Sequence, residues 1–195
     1  MKTDRTKSHG FYRRRLPHFT GDGLLQFVTF RLADSVPLKL IEKWKALVDL
    51  TDPETAVNYR KKIERFLDRG YGACVLRQRE ISKMVSESLF FHNGKKYELV
   101  AWVIMPNHVH VLLLPLGTIP LEEIMHSIKS YTAHEANKLL DRTGQLWAHE
   151  SFDRYIRNET HRRNVIRYIE MNPVKARLCV EPSEWEFSSA FRGSA

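Results

Sequence analysis

With 195 residues, 43% of them hydrophobic, the chain can bury one sizeable core. It has no run of eighteen apolar residues, which excludes a hydrophobic transmembrane helix, and the polar, basic residues 1–10 lack the apolar stretch of a secretory signal. The formal net charge of +8 suits a polyanionic partner such as nucleic acid, although a solvated basic protein has the same composition. Cys74 and Cys179 stand far apart and form no metal-type pair, so both are expected reduced in a cytoplasm.

Residues 1–17 carry Lys2, Arg5, Lys7 and the run Arg13, Arg14 and Arg15, with Phe11 and Tyr12 beside it. They show neither helical nor strand period and read as a flexible basic arm, leaving residues 18–195 as a single domain. Residues 24–33 (LLQFVTFRLA) are rich in β-formers and predict a first strand. Pro37 opens a helix through residue 50, with Leu40, Trp44, Leu47 and Val48 at helical spacing. Asp52 and Pro53 start a second helix with Ile63, Phe66 and Leu67 on its apolar face, ended by Gly70 and Gly72. A third helix is expected over residues 82–91, so residues 37–91 form a helical elaboration.

After the turn signal His92-Asn93-Gly94, residues 97–105 (YELVAWVIM) and 108–114 (HVHVLLL) predict two strands joined tightly at Pro106 and Asn107. Residues 121–140 predict a long helix with Ile124, Ile128 and Tyr131 on one side. Residues 141–153 read as a loop holding Gly144, Trp147 and Phe152. A last helix runs over residues 159–171 and is stopped by Pro173; Trp185 and Phe187 pack in the tail. The order strand, helices, two strands, helix points to an α+β sheet domain with helices on one or both faces.

His108 and His110 are two apart in a strand, so both imidazoles leave the same face and can bind one divalent metal. The same pair also fits two core-edge histidines bonded to backbone carbonyls. Tyr168 lies just off the stripe formed by Val165, Ile166 and Ile169, and Asn172, four residues on, shares its side of the helix. A phenol and an amide so placed can look into a site between helix and sheet, and the amide oxygen is a hard donor suited to Mg²⁺ or Mn²⁺. The plainer alternative is a ring packed at the core edge, with Asn172 ending the helix before Pro173.

The segment from Ala101 to His110 (AWVIMPNHVH) resembles the His-hydrophobic-His strand of the REP-associated tyrosine transposases, members of the HUH endonucleases. The segment from Tyr168 to Lys175 (YIEMNPVK) resembles their catalytic helix. Ile128-Lys129-Ser130 and the stretch from Trp147 to Arg157 are similar to the family's middle section. The resemblance extends over residues 24–190. It implies a ferredoxin-like antiparallel sheet carrying the histidines, with the tyrosine on a helix across from it. It implies that His108, His110 and Asn172 bind the metal, that Tyr168 attacks, and that the substrate is single-stranded DNA folded as imperfect hairpins. The family's better-studied relatives often place Gln where Asn172 stands.

The expected chemistry is transesterification through a covalent 5′-phosphotyrosine, with Mg²⁺ or Mn²⁺ offsetting charge at the scissile phosphate. DNA contacts are expected from Arg13, Arg14, Arg15, Lys129, Arg154, Arg157 and Lys175, with Trp147 or Phe152 stacking on bases. The expected protein is cytoplasmic and monomeric or homodimeric. A hydrolytic metal nuclease and a non-catalytic nucleic-acid-binding module are the alternatives.

Overall fold

The computed structural model describes residues 10–14, 16–20, 23–49 and 52–193, with backbone alone for 10–14, 16–20 and Pro53. Two strands, β1 (Gly10–Arg14) and β2 (Leu16–Thr20), pair as an antiparallel hairpin. Residues 10–14 and 16–17 are therefore strand, although their sequence shows no strand period and an unstructured arm was expected. The rest of that arm, residues 1–9 and Arg15, lies outside the described residues, as do the side chains of Arg13 and Arg14.

The main sheet follows from β3 (Gln26–Arg31), β4 (Tyr97–Ile104), β5 (His108–Pro115) and β6 (Phe152–Tyr155). The four pair antiparallel in the order β4-β5-β3-β6. Taken from the other edge, these are the fourth, first, third and second strands of this sheet in chain order. With helices between the first and second and between the third and fourth, that is the ferredoxin-like arrangement, as expected. The strand β6 begins inside the expected 141–153 loop and runs two residues beyond it. It has four residues with Asp153 and Arg154 at its centre, too short and too charged to show an alternation.

Alternation along the strands sends successive side chains to opposite faces, and both faces are covered. On one, Val28, Phe30, Ile104, Val109 and Val111 pack against α3 (Arg79–Phe91) through Ile81, Val85 and Leu89, and against α4 (Leu121–Leu139) through Ile124 and Ile128. On the other, Phe27, Ala101, Val103 and Leu112 pack against Val165 and Ile169 of α5 (Glu159–Glu170). A buried central strand must be apolar on both faces, which is why β5 reads as a nearly continuous hydrophobic run broken only by its two histidines.

The elaboration caps the β6 edge. Ile41 of α1 (Leu38–Ala46) and Tyr59, Ile63 and Leu67 of α2 (Pro53–Leu67) enclose Phe152. Helix α2 starts as expected, with the Asp52 carboxylate accepting from Thr55 N at 2.9 Å and proline in the first turn. Helix α1 stops at Ala46, short of residue 50, and α3 begins at Arg79, three residues earlier than expected. After α2 the chain passes close under the end of β3. Gly72 there has φ +90°, and a Cβ would meet Asp34 O at 2.9 Å, so glycine is required twice over. Helix α5 is followed by the single turn α6 (Asn172–Lys175), which keeps Asn172 one turn beyond Tyr168. Among the described residues no helix is long and apolar enough to cross a membrane.

Candidate active site

His108 and His110 sit at the start of β5, on the face covered by α5, and each is only 1% exposed. Their Nε2 atoms face one another at 3.2 Å. Each Nδ1 is engaged from behind: that of His108 by Asn107 Oδ1 at 2.8 Å, that of His110 by Thr29 Oγ1 at 2.7 Å on the neighbouring strand. Partners at Nδ1 orient the rings and leave Nε2 for whatever occupies the site, the usual support of a metal-binding histidine. Burial pushes the His108 imidazole down to about 3 and that of His110 well below its ordinary value. The charges of Arg154 and Lys175 add to the effect at His110. Both rings are thus neutral at neutral pH, the form that ligates metals.

Tyr168 reaches the same place from α5. Its ring meets the His110 ring edge-on at 5.4 Å between centroids and the Phe27 ring at 5.8 Å. Asn172 is 2% exposed, and its amide interacts with the Tyr168 phenol. The Oδ1 atom of Asn172 is buried with no hydrogen-bond partner. An oxygen left so costs about 1–3 kcal/mol unless a ligand satisfies it. Among the described residues no three His, Cys, Asp or Glu side chains cluster as a metal site. The available set is instead two neutral imidazoles and one orphaned amide oxygen, and these fit a hard or borderline divalent ion. The four residues singled out as a site in the sequence are therefore brought together.

Two carboxylates were missed. Glu64 of α2 and Asp68, the C-cap residue one turn further on, act electrostatically on Tyr168. Burial first, then these two groups, push the phenol above its ordinary range, so the protein's own charges oppose phenolate formation. Burial also raises both carboxyls, against the pull of Arg154, Arg60 and Lys175 on Glu64 and of Lys175 on Asp68. Their signal was an acidic i, i+4 pair in a helix otherwise rich in Arg and Lys, but nothing in the sequence tied that helix to Tyr168. Asn107 and Thr29 were missed as well; Asn107 at least adjoins His108.

The expected DNA contacts divide. Lys175 holds its ammonium 4.5 Å above the Tyr168 ring, and Arg154 lies 4.9 Å over the Phe27 ring, so both border the site. Arg157 is exposed on the loop before α5, with its guanidinium 5.8 Å from the Tyr155 ring. Lys129 is elsewhere: on α4, it donates to Ala148 O at 2.8 Å and His149 O at 3.2 Å beside a cavity on the opposite sheet face. Neither aromatic expected to stack on bases has a free ring. Trp147 is 4% exposed, packs edge-on against Phe30 and donates to Thr132 Oγ1, while Phe152 packs against Tyr59. Both are core residues, because the stretch that holds them closes against α4 and α2 rather than forming an open loop.

A ferredoxin-like sheet with paired histidines on a central strand and a tyrosine on the helix across from it is the architecture of a tyrosine transposase. The chain matches the IS200-like transposase family over residues 75–172, about half its length, and belongs to that family. The match runs from the turn before α3 to Asn172 and so takes in both histidines and the tyrosine. A curated relative, the REP-associated tyrosine transposase of Escherichia coli K12, is 29% identical over 102 residues, covering 52% of this chain and 59% of the relative. The chain thus spans less than two thirds of the relative it matches. A solved REP-associated tyrosine transposase bound to a REP hairpin superposes with a TM-score of 0.57 at 19% identity, covering 92% of this chain and 82% of that one, and so shares the fold.

Proposed function

We propose that the protein is a metal-dependent single-stranded DNA endonuclease and strand transferase acting on hairpin-containing DNA, with Tyr168 as nucleophile. The observation that carries this reading is the meeting of the Tyr168 ring with the His110 ring at 5.4 Å, beside the unpartnered Oδ1 of Asn172. The imidazoles of His108 and His110 and the Asn172 amide oxygen would hold Mg²⁺ or Mn²⁺. With such an ion bound, the site gains positive charge that polarises a scissile phosphate and favours the phenolate against burial, Glu64 and Asp68. Tyr168 Oη bonds to phosphorus as the bond from phosphorus to the upstream 3′ oxygen breaks. The phenol loses its proton and the departing 3′ oxygen gains one, leaving a 5′-phosphotyrosine and a free 3′-hydroxyl. Because the phosphodiester energy is kept, a second 3′-hydroxyl can reverse the step and join.

Arg154 and Lys175 border the site and supply cationic contacts for the substrate backbone. The hairpin preference rests on the family and on the hairpin bound by the structural relative. The test is incubation of a labelled single strand carrying a hairpin with the protein and Mn²⁺, resolved on a denaturing gel. Cleavage with a protease-sensitive covalent adduct is expected. Cleavage with no adduct would replace Tyr168 by water as nucleophile, and no cleavage of any strand would leave a binding module.

A further inference from the structure

Asn107 fills the tight turn between β4 and β5 and is 1% exposed. Its amide nitrogen lies 3.2 Å from Leu67 O, the last residue of α2, and 3.0 Å from Tyr71 O just beyond it. Carbonyl oxygens only accept, so the NH₂ group is fixed on that side and cannot be exchanged with the oxygen without setting three carbonyls against one another. The Oδ1 atom therefore faces His108 Nδ1 at 2.8 Å. An amide oxygen cannot donate either, so the hydrogen in that contact belongs to Nδ1. A neutral His108 then has a bare Nε2, and this is the atom that points at His110.

On the reading of the histidine pair as a metal site, we propose that Asn107 is a positioning residue that locks His108 in its Nδ1–H tautomer, and that the end of α2 holds the lock in place. The end of α2 and the turn after it thereby act on the site: the carbonyls of Leu67 and Tyr71 orient the Asn107 amide, which presents the His108 lone pair. His110 has no such lock, because its Nδ1 partner is the Thr29 hydroxyl, which can donate or accept. The two imidazoles are thus unequal, one pre-set for an ion and one free to adjust to it.

Long-range ¹⁵N–¹H spectra of the full chain without added metal read the tautomer directly, with His108 assigned by its loss in His108→Gln. The wild type is expected to show Nδ1–H at His108. Asn107→Ala should lose the preference and weaken Mn²⁺ binding, followed by electron paramagnetic resonance, by about 10–100-fold. Nε2–H at His108 in the wild type overturns the proposal whatever the variants do. So does a folded Asn107→Ala protein with the wild-type tautomer and Mn²⁺ affinity within about twofold of wild type. If Asn107→Ala does not fold, the wild-type spectrum decides. A wild type that takes up no Mn²⁺ yet holds Nδ1–H at His108 overturns the metal reading of the site and leaves the lock standing.

Discussion

The Nε2 atoms of His108 and His110 approach to 3.2 Å inside a sheet face that α5 seals, so two titratable groups are held neutral in the core. The His108 imidazole titrates at about 3 in the folded protein and at 6.5 when unfolded. Well above pH 6.5 neither state takes the proton and this titration no longer affects stability. As pH falls from 6.5 towards 3, the unfolded chain binds protons that the folded protein excludes, so stability is lost. Between pH 6.5 and 5 the loss is on the order of 2 kcal/mol for His108, and His110 acts in the same direction. Urea midpoints measured at pH 7, 6 and 5 should fall steadily, and His108→Gln should flatten the decline. An unchanged slope in that variant contradicts the assignment.

Asp68 bears on Tyr168 in a way that separates two roles. Its negative charge raises the phenol pKa, so Asp68→Asn should lower it. The rising limb of the cleavage pH profile should then move to lower pH by a fraction of a unit, with a modest gain in rate at a given pH. Were Asp68 the acceptor of the phenolic proton, the same change would instead slow cleavage by about 10²–10⁴-fold. Single-turnover rates from pH 6 to 9 distinguish a gain from a loss.

The parts of the site legible in the sequence were those set by local periodicity. His108 and His110 share a face because strands repeat every two residues, and Tyr168 and Asn172 share a side because helices repeat every 3.6. What could not be read was set by pairing between distant segments. Thr29 backs His110 only because β3 lies beside β5 in a particular register, 81 residues away. Glu64 and Asp68 reach Tyr168 only because α2 folds over the β6 edge, and β6 itself was hidden by its shortness and its charges. Trp147 read as a stacking platform because burial cannot be judged from a segment that looks like a loop; its ring closes the core under α4.

The basic residues should split by function along the same line. Lys129 is half-buried, its ammonium pushed down to about 8 by burial, and it clamps the 148–151 segment through two carbonyls and Ser151 Oγ. Lys129→Met should lower the melting temperature while leaving the salt dependence of DNA binding unchanged. Arg154→Ala and Lys175→Ala should do the reverse, each reducing the slope of log affinity against log salt by about 0.7 for a single strand if it contacts one phosphate. Fluorescence anisotropy over a salt series checks both. A full loss of slope with Lys129→Met would return that residue to the DNA surface.

Tyr168→Phe is the sharpest test of the nucleophile. The substitution keeps the ring, and with it the edge contacts to His110 at 5.4 Å and Phe27 at 5.8 Å. It removes the hydroxyl and its interaction with the Asn172 amide, so the stability cost should not exceed about 1.5 kcal/mol, that of one ordinary hydrogen bond. With no oxygen at that position no phosphotyrosine can form there. Cleavage should fall to background while hairpin affinity stays within about twofold of wild type. His108→Ala should also abolish cleavage, but by weakening the ion site, so excess Mn²⁺ should restore part of the activity there and none in Tyr168→Phe. Tyr131→Phe and Tyr155→Phe are the controls, since Tyr131 is exposed on α4 and Tyr155 lies at the end of the edge strand β6. Both should cut and form adducts as the wild type does. A covalent protein–DNA adduct formed by the Tyr168→Phe protein at the wild-type rate would remove Tyr168 from the chemistry and leave its ring as packing for the histidine face.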